Sequence, residues 1–143
     1  MRRSPTAVQL QVWRRFTETS AALNAALSSR LLASDVSSGD YAVMLALSEA
    51  PSLRSSELAA IVNWERSRLS HHLGRMEKRG LIRREECLTD NRGAEVVLTP
   101  DGAELFRRAS APHMHAIQEL FASRLSDAQL AALDDAMRAL AAD

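Results

Sequence analysis

Three features predict a mainly α-helical chain with a small β-hairpin wing, arranged as a winged helix-turn-helix flanked by long N- and C-terminal dimerisation helices. A short apolar-faced segment, Ser56 to Val62, is followed after a two-residue turn by a longer segment that ends at Gly80. Two strand-like runs then flank a tip of Thr89, Asp90, Asn91, Arg92 and Gly93. On either side of this module, apolar residues recur at helical spacing over runs too long for the module to cover.

At the N-terminal end, Ser4 and Pro5 read as a cap followed by proline at a first helical position. Val8, Val12, Phe16, Leu23, Leu27 and Leu31 then mark one helix to about Leu32, with Leu10 and Trp13 broadening its stripe. Ser34 to Gly39 interrupts it. Ser37 or Ser38 can cap a helix from Asp40 to about Glu49, with Tyr41, Met44, Leu45 and Leu47 inward, and Pro51 ends it.

The next helix runs from about Ser56 to Val62, capped by Ser55 or Ser56. Asn63 and Trp64 form the turn, with Asn63 as cap for the following helix and Glu65 in its first turn, where negative charge suits the helix dipole. On a helical wheel, Leu69, Leu73 and Met76 fall within about 40° of one another and form a narrow buried stripe. His72 flanks the stripe as a packing residue. Ser67, His71, Gly74 and Lys78 lie opposite, with Arg75 and Arg68 on one shoulder and Ser70 and Arg66 on the other. A solvated face ordinarily mixes long side chains of both signs. This one combines small residues, which let the backbone come close to phosphates and base edges, with Arg75 and Lys78 as donors.

Leu81 and Ile82 begin the first wing strand, Cys87 and Leu88 end it, and Ala94 to Leu98 returns. Asn91 and Gly93 suit positive-φ positions in a tight hairpin. Arg92 stands at the tip, with Asp90 near enough to brace it, and can enter a minor groove. Thr99 and Pro100 repeat the cap-then-proline signal for a helix through Leu105 and Phe106. Pro112 kinks or splits that helix, a kink being the reading we favour, before it resumes through Met114, Ile117, Leu120, Phe121 and Leu125. Ser126 and Gln129 form a capping box for a last helix marked by Leu130, Leu133, Met137 and Leu140.

With 143 residues, 46% of them apolar, the chain is expected to form a single domain: arms at 1–35 and 104–143, and a DNA-binding lobe at 36–103. Neither a membrane span nor a signal peptide is legible, so the cytoplasm is the expected location. The one cysteine excludes an intramolecular disulfide and a multi-cysteine zinc site. Formal charge is zero but unevenly placed: residues 1–53 carry five basic against four acidic residues, 54–93 nine against six, and 94–143 four against eight. Positive charge thus concentrates in the reading head, as expected if that end meets phosphate.

The segments SELAAIV, ERSRLSHHLGRMEKRGLI, the Asp90-x-Arg92 wing and LTPDG, in this order, resemble the MarR (multiple antibiotic resistance regulator) family of bacterial transcription factors over nearly the whole chain. The resemblance implies major-groove contacts from Ser67, Ser70, His71 and Arg75 and a minor-groove contact from Arg92, with Asp90 and Gly93 supporting the wing. Position 71 departs from the arginine or lysine commoner in the family. The resemblance also implies a pocket for a small aromatic or phenolic effector near Trp13, Phe16, Tyr41, Met44, His113 and Ile117, although plain core packing accounts for most of these residues.

The arms carry more apolar surface than the module can cover. A homodimer on a near-palindromic double-stranded operator, with recognition helices roughly 34 Å apart, answers this; a monomeric bundle is the alternative. The function expected is a homodimeric repressor released from DNA by a small molecule. Its rivals are a winged-helix protein-interaction module that does not touch DNA, and a redox-responsive regulator using Cys87, whose neighbour Glu86 raises a thiol pKa and disfavours reactivity. His113 and His115, two apart, cannot chelate one metal as an i, i+4 pair would, so no metal is expected. No cofactor fingerprint, phosphate loop or nucleophile motif is present, which excludes an evident enzyme.

Overall fold

A computed structural model describes residues 4–86 and 93–142. Its order is α1 (Ala7–Leu32), α2 (Ser38–Glu49), β1 (Leu53–Arg54), α3 (Ser55–Val62), α4 (Arg66–Lys78), β2 (Ile82–Glu85), β3 (Glu95–Leu98), α5 (Pro100–Leu120), a 3₁₀ turn (Ala122–Arg124) and α6 (Asp127–Ala141). The strands form one antiparallel sheet in the order β1-β3-β2, with Leu53 opposite Val96 and Ile82 opposite Leu98. The wing therefore has three strands, not the two of a simple hairpin. β1 escapes sequence reading because two residues beside a proline carry no periodicity.

Several caps differ from expectation. The α1 cap is Thr6, not Ser4: its Oγ1 accepts from Gln9 N–H at 3.2 Å while Gln9 Oε1 accepts from Thr6 N–H at 2.8 Å. Neither Ser55 nor Ser56 caps α3. Its N-cap is Arg54, whose N–H donates to Glu57 Oε1 at 3.3 Å, and the Ser55 hydroxyl instead donates to the Ala94 carbonyl at 3.0 Å, fastening the helix start to the wing. Asn63 closes α3 rather than opening α4, adopting a left-handed conformation at φ 56° that asparagine tolerates. Ser37 with Asp40, Thr99 with Gly102, and Ser126 with Gln129 cap as the sequence indicates.

Gly80, at φ 74°, stops α4: its N–H donates to the Glu77 carbonyl and that of Leu81 to the Met76 carbonyl, the paired bonds of a left-handed helix stop. α5 runs unbroken through Pro112, so the proline does not split the helix. The helix ends at Leu120, earlier than expected, and the 3₁₀ turn follows from Ala122.

Two compact units make up the chain, Met1–Leu27 with His113–Asp143, and Ser28–Pro112. In the second, Leu58, Leu69, Leu73, Met76, Met44, Val43, Ile82 and Val96 form a closed core. Packing α4 by its Leu69, Leu73 and Met76 stripe fixes the helix against α2, α3 and the wing, which determines the face it leaves to solvent. In the first unit, α1 exposes Val8, Val12, Trp13 and Phe16, and α6 exposes Met137 and Leu140.

Candidate nucleic-acid interface

The outward face of α4 is built by elimination. Once its apolar stripe is buried, Arg66, Ser67, Arg68, Ser70, His71, Arg75 and Lys78 are all exposed. These are the seven α4 residues singled out from the sequence, and they share one helix. Gly74 is half-buried beside the Arg84 guanidinium. Gly93 has φ 84°, which suits a wing turn. Asp90, Arg92 and Cys87 lie outside the described residues.

Contacts hidden from sequence reading organise this face. Asp40, in the first turn of α2, is 6% exposed. It accepts hydrogen bonds from Ser37 N–H at 3.1 Å, His72 Nε2 at 2.8 Å and Arg79 Nη1 at 2.8 Å. Burial alone would raise its carboxyl, but the bonds from His72, Ser37 and Arg79 together hold it well below the ordinary carboxylate range. Arg79 also donates to the Asp35 carbonyl at 2.8 Å, tying the end of α4 to the loop before α2.

His72 is thus more than packing. Its other ring nitrogen, Nδ1, lies 3.2 Å from Arg75 Nη2, and its ring meets Trp64 edge-on at 5.1 Å. The Arg68 guanidinium sits over Trp64, 4.2 Å from the ring centroid. On the wing side, Glu77 accepts from Arg84 N–H at 2.9 Å and from its guanidinium at 3.3 Å, while Arg84 also donates to the Ser70 carbonyl at 3.3 Å. Arg84 therefore anchors β2 to the middle of α4. The sequence signal for the Asp40 contacts is faint, since they join residues 32 and 39 positions apart.

The six residues expected around an effector divide between units. Tyr41 and Met44 are buried in the second unit, where Tyr41 stacks near Phe106 at 5.2 Å and its hydroxyl lies 3.4 Å from Ser110 Oγ. Trp13, Phe16, His113 and Ile117 belong to the first, with the Trp13 and Phe16 rings 6.2 Å apart. Burial pushes the His113 imidazole below its ordinary value. Of the six, Phe16 lines the first unit's groove of about 860 Å³, beside Val12, Leu23, Phe121 and Leu133. Among the described residues, no group of three or more His, Cys, Asp or Glu side chains is placed to hold a metal ion, and no helix is long and apolar enough to cross a membrane.

The MarR family model matches residues 36–93, the stretch from the start of the α2 cap to the wing. AbsC, a MarR family transcriptional regulator from Streptomyces coelicolor, is 33% identical, with a TM-score of 0.89 over 98% of this chain and 96% of its own. The chain belongs to the MarR family. A second family member from that organism, Sco3205, solved in complex with DNA, is 35% identical, with a TM-score of 0.88 over 96% of this chain and 92% of its own. The transcriptional regulator HosA of Escherichia coli O157:H7 is 35% identical over 92 residues, 64% of this chain and 67% of its own length. Family membership makes the chain a transcription regulator rather than an enzyme.

Proposed function

We propose that the chain is a homodimeric, sequence-specific regulator that binds double-stranded DNA through α4 and is most simply a cytoplasmic repressor. The observation that carries this is the exposed face of α4, where small residues and cations stand together over a fully buried stripe. Ser67, Ser70, His71 and Arg75 are assigned to base edges, and Arg66, Arg68 and Lys78 to phosphates. Arg92, braced by Asp90 and Gly93, is assigned to the adjacent minor groove on sequence grounds. The DNA complex of Sco3205, a 35% identical relative, supports the reading.

Dimerisation is assigned to the first unit. Val8, Val12, Trp13, Phe16, Met137 and Leu140 are exposed there, and an apolar surface of this kind needs covering. A two-fold dimer presents two α4 helices to a near-palindromic operator. Release follows when a small aromatic or phenolic effector binds the geometry that does not hold DNA more tightly than the one that does.

A salt series of fluorescence-anisotropy titrations tests the proposal, using labelled duplexes tiled across the intergenic DNA beside the chain's own gene. One duplex should bind tightly and salt-dependently, and unrelated DNA of equal length at least about a hundredfold more weakly. Retention of affinity by Arg75→Ala in an intact dimer would favour a protein-interaction role for this surface instead.

A further inference from the structure

We infer that His72 is a positioning residue for DNA recognition: it holds the Arg75 guanidinium in place on the reading face while being fixed from behind by buried Asp40. The inference rests on the DNA-binding reading of α4. An ionised carboxylate only accepts, so the 2.8 Å contact with Asp40 makes Nε2 the protonated ring nitrogen of His72. In that neutral tautomer Nδ1 carries a lone pair, and its neighbour at 3.2 Å, Arg75 Nη2, is a donor with no accepting capacity. Both contacts are satisfied together by the tautomer that carries its proton on Nε2.

The ring has little freedom to turn. Its side chain is 13% exposed, and Asp40 is itself fixed by Ser37 N–H and Arg79. Trp64 closes one edge of the imidazole, with Arg68 on the indole, and a Cβ at Gly39 would come within 2.8 Å of His72 Cε1 and 2.9 Å of the indole. Arg75 is exposed and flexible on its own, so a fixed acceptor at its base removes conformations that binding would otherwise have to select. The charged groups gathered around His72 are Asp40 from α2, Arg75 and Arg68 from α4, and Arg79 from the C-cap of α4.

Two conservative variants separate this role from a structural one. His72→Gln retains an N–H near the Nε2 position for Asp40 but leaves the Nδ1 position without an acceptor. His72→Asn places a carbonyl oxygen near the Nδ1 position and gives up the Asp40 contact. Positioning predicts that the glutamine variant stays folded and loses about threefold to tenfold in affinity for the best intergenic duplex. It also predicts that the asparagine variant, which keeps the acceptor but loses its anchor on Asp40, binds more tightly than the glutamine variant, and that glutamine costs nothing further once Arg75→Ala is present.

Nitrogen-15 spectra of the wild type should show His72 Nδ1 as the unprotonated ring nitrogen. Glutamine binding as well as wild type, an equal loss in the Arg75→Ala background, or a protonated Nδ1 would each overturn the assignment while leaving the DNA reading in place. Failure of the wild type on every duplex would remove the DNA reading and the positioning role with it.

Discussion

Replacing Asp40 by alanine tests whether the second unit is organised around a buried carboxylate. The residue is 6% exposed and accepts three hydrogen bonds, from Ser37 N–H, His72 and Arg79. Hydrogen bonds to a charged group contribute about 1.5 to 3 kcal/mol each, and their removal leaves the partly buried His72 donor without its acceptor. Arg79 is 42% exposed and can turn to water, so its share falls towards the low value of a surface pair. The three bonds are not additive, and a net loss of about 3 kcal/mol is the expectation.

For a 143-residue chain unfolding with about 2.1 cal/mol/K of entropy per residue, that loss lowers Tm by about 10 °C. Protein concentration must be held constant, because the Tm of the proposed dimer depends on it. The pH dependence supplies a second check. The folded carboxyl is held below its ordinary range, so its stabilisation is complete above the unfolded value of about 3.9 and is lost as pH falls below it towards the folded one. Denaturant midpoints of wild type and Asp40→Ala should therefore lie far apart at pH 7 and converge as the solution is acidified below about pH 4. A gap under about 1 kcal/mol at neutral pH, or one that does not narrow in acid, would refute the assignment of Asp40 as the hub.

Lys78→Ala should weaken binding to specific and unrelated duplexes alike and reduce the salt slope by about one, measured by anisotropy titration. Leu73→Ala, at a position 1% exposed, should cost about 2 to 5 kcal/mol in chemical denaturation without altering the chemistry of the reading face. Gly102→Ala brings a Cβ onto the Leu81 carbonyl oxygen, so the start of α5 must shift and stability should fall by more than about 1 kcal/mol in the same assay. Phe16→Glu, on the apolar face of the first unit, should shift sedimentation towards monomer and weaken DNA binding at dilute protein while leaving the second unit folded.

The parts of the fold that depend on neighbours a turn apart were legible in the sequence. The Leu69, Leu73 and Met76 stripe, the stop at Gly80 and the Ser126–Gln129 box each need only a few consecutive residues, and the structure has them all. The misread features depend on residues brought together by folding. Ser55 has the composition of a cap, but the Ala94 carbonyl, 39 positions away, competes for its hydroxyl and wins. Leu53 and Arg54 become a strand only because β3 offers them an edge.

His72 shows why the site was legible in outline and not in detail. Its place on the wheel, beside the buried stripe, indicates a half-buried side chain, and that is what the fold contains. Its partner Asp40 lies 32 positions earlier, and nothing local marks an acid in the first turn of α2 as anything but a capping residue. The same carboxylate completes that capping box, receives Arg79 from the end of α4 and orients His72 in the middle of it. One buried charge therefore couples the start of α2 to two turns of the reading helix, a more demanding constraint than apolar packing, which tolerates sliding and repacking. The exposed cations of α4 are what a polyanion-binding face requires, and the proposed positioning of one of them, Arg75, runs back through His72 to a carboxylate only 6% exposed.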